Sequence, residues 1–356
     1  MLSNLTIYIP TFKRHHMLPF IIEYYKSTNA RIIMADASPD AFKLPSSLQM
    51  DTLQYLHMPN APHAERYEMA LRLTKTDFFV PRADRRHQSA EGLAQCIQFL
   101  KNNQDFDAAT GIWLSEDLKP YFLPDLLSSA GESDNPFDRL INHSLSYQPS
   151  YYTVQRYSKA VHVGRVLATI SSMTDNPYVV EYLTSFYFYL SGKTKQLSFL
   201  QGIIQDMSKI DDYSHQWAET PQFLANIKFL TIAFSHIAKE LDAALIDMGK
   251  ARTAFLQASK NFVEWFYLSG ISTHASLISK SATMPRFTPI EDAYANLGKH
   301  SFSTSSEHLL RLFMTIFVEK NVCFADVKHL FNQTDLCEIK RILAMIYKCR
   351  SAEQSL

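Results

Sequence analysis

The sequence predicts an α/β protein, a mostly parallel sheet flanked by helices and followed by an α-helical C-terminal region. Two patterns carry that prediction. Over roughly the first hundred residues, short apolar runs rich in β-branched residues alternate with stretches whose apolar residues recur at helical spacing, as βαβ units require. Beyond Pro221 the pattern turns helical, and residues 223–266 contain no proline. A chain of 356 residues sets a prior of two domains. The expected division is 1–220 for the sheet and 221–356 for the helices.

Leu5-Thr6-Ile7-Tyr8-Ile9 is an apolar run stopped by Pro10 and reads as a buried strand. A helix is expected over about residues 16–27, because Leu18, Ile21, Ile22 and Tyr25 fall on one face. Arg31-Ile32-Ile33-Met34-Ala35-Asp36 is a second strand ending in an acid, and Thr52-Leu53-Gln54-Tyr55-Leu56-His57 a third. Residues 64–73 form the next helix, with Tyr67, Ala70 and Leu71 inward. Residues 77–81 are the fourth strand. Ser89 caps a helix carrying Leu93, Cys96, Ile97 and Leu100 on one face, with Glu91 at the positive dipole end. Residues 107–114 are a fifth strand. The pattern is irregular from 116 to 149, apart from a turn-rich loop at 131–136. Residues 151–156 suggest a short strand. Asn176-Pro177 opens a helix that Gly192 ends. Two packed helices over 223–266, a polar connection over 270–300, and helices over 307–318 and 335–347 complete the chain.

Composition narrows the function. Hydrophobic residues are 46% and charged residues 20% of the chain, as in ordinary folded proteins. The 35 basic and 35 acidic residues cancel, which argues against a nucleic-acid partner but leaves room for a local basic pocket. The four cysteines, Cys96, Cys323, Cys337 and Cys349, form no Cys-x-x-Cys pair. Their spacing is not that of a dense disulfide framework, so a reducing compartment is expected. The first residues do not read as a signal peptide, and the apolar tract at 182–190 is too short to span a bilayer. A cytoplasmic protein is expected, with membrane contact at most peripheral. No glycine-rich phosphate loop and no Gly-x-Ser-x-Gly elbow is present.

The stretch that gathers chemistry is Phe78-Phe79-Val80-Pro81-Arg82-Ala83-Asp84-Arg85-Arg86-His87. An apolar strand ends there and charge follows at once. In an open α/β sheet the ligand lies outside the carboxyl ends of the strands, so this stretch is the expected floor of the site.

The order of features over about residues 5–200 resembles a bacterial glycosyltransferase of the GT-A fold, family-2-like. The residues that carry the resemblance are Ile9-Pro10-Thr11-Phe12-Lys13-Arg14, Asp36 in Ala35-Asp36-Ala37-Ser38, Arg66, Ala83-Asp84, residues 151–156, Glu181 and Gly192-Lys193. The resemblance implies a nucleotide-sugar donor and a glycan or other hydroxyl acceptor. It implies that Pro10 and Thr11 line the nucleotide pocket, that Asp36 accepts a hydrogen bond from the base or ribose, and that Arg66 reaches the diphosphate. It further implies that Glu181 is the base that takes the acceptor's proton.

Asp84 stands where such enzymes carry an Asp-x-Asp motif for Mn²⁺ or Mg²⁺, but Arg85 and Arg86 follow it. Three readings stay open here. A guanidinium replaces the metal, since arginine binds phosphate bidentately and is always charged. Alternatively the site is inactive, and the fold serves as a nucleotide-sugar-binding, glycan-binding or protein-interaction module. In the third reading a metal is held by Asp84 with His87 or the distant His215. Arg156 and Lys193 are further candidates for phosphate or acceptor.

Overall fold

The computed structural model describes residues 2–120, 131–145, 150–205, 214–277 and 331–354. Eight strands form one sheet: β1 (Leu5–Thr11), β2 (Arg31–Asp36), β3 (Leu53–His57), β4 (Phe78–Pro81), β5 (Arg86–Gln88), β6 (Phe106–Ser115), β7 (Val154–Arg156) and β8 (Lys193–Ile204). Their order is β3-β2-β1-β4-β7-β6-β8-β5. β1 to β4 are parallel to one another, as are β6 and β8. β7 runs against both β4 and β6, and β5 runs against β8 at the edge. The sheet is thus mixed and mostly parallel.

The helices are α1 (Leu18–Tyr25), α2 (His63–Leu73), α3 (Ala90–Asn102), α4 (Pro136–Leu145), α5 (Tyr157–Ser171), α6 (Pro177–Ser191), α7 (Ser214–Ala225), α8 (Ile227–Ile237), α9 (Met248–Leu277) and α10 (Gln333–Gln354). They divide between the two faces of the sheet, because alternate strand residues point to opposite sides. Leu5, Ile7 and Ile9 of β1 and Ile32 and Met34 of β2 enter one core with α1, α3 and α10. Tyr8, Ile33 and Ala35 enter the other, with α2, α5, α6, α8 and α9. No helix among the described residues is long and apolar enough to cross a membrane.

Local signals explain several boundaries. The Ser89 hydroxyl accepts from Gly92 N–H at 3.0 Å and starts α3. The Asn176 side chain accepts from the amides of Tyr178 and Val179, and Pro177 opens α6. Gly192 ends α6 as expected, in extended backbone (φ −172°).

Other differences have equally plain causes. Helix α4 replaces irregular structure within 116–149, and α5 was not expected although Ala160, Val163, Leu167 and Ile170 sit at helical spacing. β5 and β8 also went unforeseen, because they bury polar residues: His87 and Gln88 in β5, Thr194, Gln196 and Gln201 in β8. Pro221 lies inside α7, and the helix entered before Gly270 continues to Leu277. Cys96 and Cys349 are buried and Cys337 is exposed. The helix expected over 307–318 and Cys323 lie outside the described residues, as does most of the connection expected over 270–300.

Candidate functional site

The chain lays down β1, β2 and β3 in one direction, then returns to place β4 on the other side of β1. The reversal makes the β1/β4 boundary a topological switch point, the place outside the carboxyl ends where open α/β sheets bind their ligands. Pro10 and Thr11 end β1, and Arg82-Ala83-Asp84 follow β4 directly.

The loop after β1 is fixed to the loop after β2. Lys13 takes a left-handed conformation (φ 55°), and its N–H donates to Ser38 Oγ at 2.7 Å. Arg14 O accepts from Met17 N–H at 3.0 Å, opening a short 3₁₀ turn at His15–Met17. The Arg14 guanidinium is thereby set on Asp84 Oδ1 in a close ion pair. Thr11 Oγ1 donates to Asp84 Oδ2 at 3.5 Å. The Asp84 side chain is only 4% exposed, whereas Arg14 is 27% exposed.

Asp36, at the end of β2, is buried and fully engaged. Its Oδ1 accepts from Ser38 N–H at 2.9 Å. Its Oδ2 accepts from Tyr55 OH at 2.7 Å and from His15 Nε2 at 2.7 Å. Burial pushes this carboxyl up, but the hydrogen bonds from Ser38, Tyr55 and His15 outweigh it and hold the group below the ordinary range. An ionised acid accepts only, so His15 presents Nε2–H to it. Burial and then the Asp36 bond push the Tyr55 phenol well up, so Tyr55 is the donor there. The His15 ring lies 5.5 Å from Phe42, and Phe42 lies 6.3 Å from Tyr55, which makes an aromatic shelf beside the acid.

Arg66, half-buried on α2, points into the sheet end. Its Nη1 donates to Thr11 O at 3.1 Å and to Ala35 O at 3.2 Å. It therefore ties together the ends of β1 and β2 that carry Thr11 and Asp36.

The floor beyond β4 is built on Arg82, which is wholly buried. Its Nε donates to Arg86 O at 2.9 Å and its Nη2 to His87 Nδ1 at 2.7 Å, while its guanidinium lies 5.3 Å from the Tyr25 ring centre. His87 Nε2–H then faces Gln205 Oε1 at 3.2 Å. Burial, reinforced by the Arg82 charge, pushes the His87 imidazole down to about 3. Both its ring nitrogens are spent on the floor.

Arg85 is buried, and its carbonyl accepts from Gln205 N–H at 3.0 Å. Arg86 stacks over Tyr152 at 4.1 Å. Burial pushes the Tyr152 phenol up to about 12; Arg86 opposes this, while Glu181 and Asp84 add to it. Glu181, half-buried on α6, thus shares one electrostatic neighbourhood with Asp84 and Arg86.

The structure brings Pro10, Thr11, Asp36, Asp84, Arg85 and Arg86 to one end of the sheet, with Arg66 beneath, while Glu181 on α6 acts with Asp84 on the Tyr152 phenol. Arg156 and Lys193 lie elsewhere: Arg156 donates to the carbonyls of Leu100, Asn103 and Phe106, and Lys193 pairs with Asp105 and Asp134. His215 falls in the first turn of α7, and its side chain lies outside the described residues. Sequence reasoning did not single out Arg14, His15, Tyr55, Arg82 or Tyr152. Arg14 stood within the quoted motif, and its charge beside a strand end was the available signal.

Among the described residues the donor set is a poor match for a hard divalent ion, which takes about six oxygen ligands with carboxylates among them. The Asp84 oxygens already serve Arg14 and Thr11. Among the described residues no three His, Cys, Asp or Glu side chains converge. The surplus of guanidinium over carboxylate suits a phosphate-bearing anion instead.

No protein-family model matches the chain, and no curated protein matches its sequence. In structure it is similar to TarS 1–349 of S. aureus, at TM-score 0.45 and 11% identity over 98% of this chain and 91% of that one. It is also similar to a mannosyltransferase of Pyrobaculum calidifontis solved with GDP-Man and Mn²⁺, at TM-score 0.44 and 10% identity over 89% of this chain and 86% of that one. A third is the glucosyl-3-phosphoglycerate synthase of Mycobacterium tuberculosis solved with Mn²⁺ and UDP, at TM-score 0.35 and 11% identity over 57% of this chain and 70% of that one.

Proposed function

We propose that the chain is a GT-A-like glycosyltransferase that moves a sugar from a nucleotide-sugar donor to an acceptor hydroxyl, and that it does so without a divalent metal. The observation that carries this reading is the pairing of Arg14 with the buried Asp84 at the β1/β4 switch point, with Arg85 and Arg86 next in the chain. The donor diphosphate sits over that rim, and its base lies on the shelf of His15, Phe42 and Tyr55. The acceptor oxygen attacks the anomeric carbon as the bond from that carbon to the diphosphate oxygen breaks. Glu181 takes the hydroxyl proton. The nucleoside diphosphate leaves with its charge stabilised by fixed guanidiniums, the electrostatic task a metal performs elsewhere. In this reading the sheet domain (1–220) holds the donor in the cytoplasm. The helical domain (221–356) shapes the acceptor side, for a glycan such as a surface polysaccharide.

A second reading is a non-catalytic nucleotide-sugar-binding module. It is favoured by the pairing of Asp84 with Arg14, which leaves no metal motif of the usual kind. Donor binding and turnover over a panel of nucleotide sugars, with candidate acceptors, in Mn²⁺, Mg²⁺ or EDTA, separate the two. Turnover that survives EDTA is expected. Turnover lost in EDTA would overturn metal independence, binding without turnover would favour the module, and no binding would remove both readings.

A further inference from the structure

We propose that Arg14 is the cation that receives the donor's diphosphate, and that Asp84 is a positioning residue that presents Arg14 rather than a metal ligand. This rests on the reading of the rim as a nucleoside-diphosphate site. It differs from that reading in naming the arginine and in assigning the acid of the degenerate motif a new task.

The geometry separates the two partners. Asp84 is sealed, and its two oxygens are taken by Arg14 and Thr11. At 4% exposure it offers a ligand almost no surface. Arg14 is the accessible member of the pair. Guanidinium carries five N–H donors in a planar fork, and only Nη1 is used on Asp84. At 27% exposure, Arg14 can offer the remaining donors to a ligand.

The backbone that carries Arg14 is fixed on both sides, by Ser38 Oγ before it and by the Met17 amide after it. An arginine held in this way loses little freedom when it meets an anion, so its hydrogen bonds are retained as binding energy. The rest of the rim adds to the field. Arg85 and Arg86 follow Asp84 directly, and Arg82 lies under them with Nη1 buried and unpartnered. One carboxylate among these guanidiniums lowers the site's affinity for anions even as it aims Arg14.

That balance gives a test whose sign distinguishes the roles. Asp84→Asn keeps the shape and an oxygen for Arg14 but removes the opposing charge. Binding of UDP, GDP and inorganic pyrophosphate is measured in EDTA by calorimetry, with thermal unfolding recorded for each variant. Asp84→Asn is expected to tighten binding by about 3- to 10-fold, the scale of one partly screened charge pair. Arg14→Gln is expected to weaken it by at least about 10-fold. Arg14→Lys, which keeps the pair with Asp84 but loses the planar fork, is expected to lie between, and it serves if Arg14→Gln fails to fold. Weaker binding by Asp84→Asn, or binding by the unaltered protein that requires Mn²⁺ and is lost in that variant, would overturn the proposal and leave the nucleotide site standing. Failure of the unaltered protein to bind any of the three probes, with or without Mn²⁺, would instead remove the nucleotide reading on which the proposal rests.

Discussion

Asp36 decides how the β2 end of the site is organised, because one buried carboxylate takes hydrogen bonds from Ser38, Tyr55 and His15. Asp36→Asn puts an NH₂ where an acceptor is needed, so one of those donors loses its partner. The cost is about 1–3 kcal/mol. Its pH dependence has a definite sign. The folded carboxyl lies below its ordinary value, and the unfolded one titrates near about 3.9. Its contribution is complete above that value and is lost as pH falls through the depressed one. Urea unfolding of the two proteins should therefore differ by a constant amount from pH 7 to 5, and by less as pH drops below about 4. A difference that stays constant to pH 3 would mean that the acid is not the ionised acceptor described. Asp36, Asp84, Arg85 and Arg86 were legible in the sequence because charge at the end of an apolar strand is conspicuous. Their partners were not: Tyr55 lies 19 residues from Asp36, Arg14 lies 70 from Asp84, and Gln205 lies 118 from His87. Only the sheet brings them together.

Among the elements, the helix–sheet contact between α3 and β8 is the tightest test of the packing. A Cβ on Gly92 would meet Leu200 O at 2.2 Å, and both the helix start and the strand are backbone-fixed there. Gly92→Ala must push α3 off the sheet, at the overpacking cost of about 1–3 kcal/mol or more. Gly249→Ala, at the exposed start of α9 where the nearest atom is the Asp247 side chain at 3.3 Å, is the control. Its effect is expected to stay below about 1 kcal/mol, the full mid-helix difference between Gly and Ala. A clear fall in denaturation midpoint is expected for Gly92→Ala alone, and a neutral Gly92→Ala would show that α3 is not seated as described. The same contact shows where sequence reading stopped. β1, β2 and β4 announce themselves as apolar runs because both their faces are buried. β8 hides because it buries Thr194, Gln196 and Gln201, with Gln201 Oε1 accepting across the fold from Gly111 N–H at 3.0 Å and Cys96 Sγ at 3.4 Å. A strand that buries polar residues does not produce the alternation that a reader looks for.

Across the whole molecule, the fold rests on buried groups that must stay uncharged. His87 and His143 are both buried, His87 in the site floor and His143 stacked 3.9 Å from the Tyr189 ring between the helices. Burial pushes each down to about 3, with Arg82 adding to the effect at His87. An unfolded histidine titrates near about 6.5. Between those values the unfolded chain binds protons that the folded one refuses, so stability falls as pH drops below about 6.5 and continues to fall toward the folded value. Each histidine contributes up to about 1.4 kcal/mol per pH unit over that window. The sheet floor and the helical layer therefore loosen together in mild acid, although they lie in different parts of the fold. His87→Asn isolates one of them, because the Asn oxygen can stand in for Nδ1 as the acceptor for Arg82. It is expected to cost about 1–3 kcal/mol at pH 7, through the lost bond to Gln205. It should also make the decline between pH 6.5 and 5 shallower by up to about 1.4 kcal/mol per unit. Denaturant unfolding at half-unit pH steps measures both effects. Parallel curves for the two proteins would show that His87 takes up its proton without unfolding, and that the floor beneath the arginine rim is open to water.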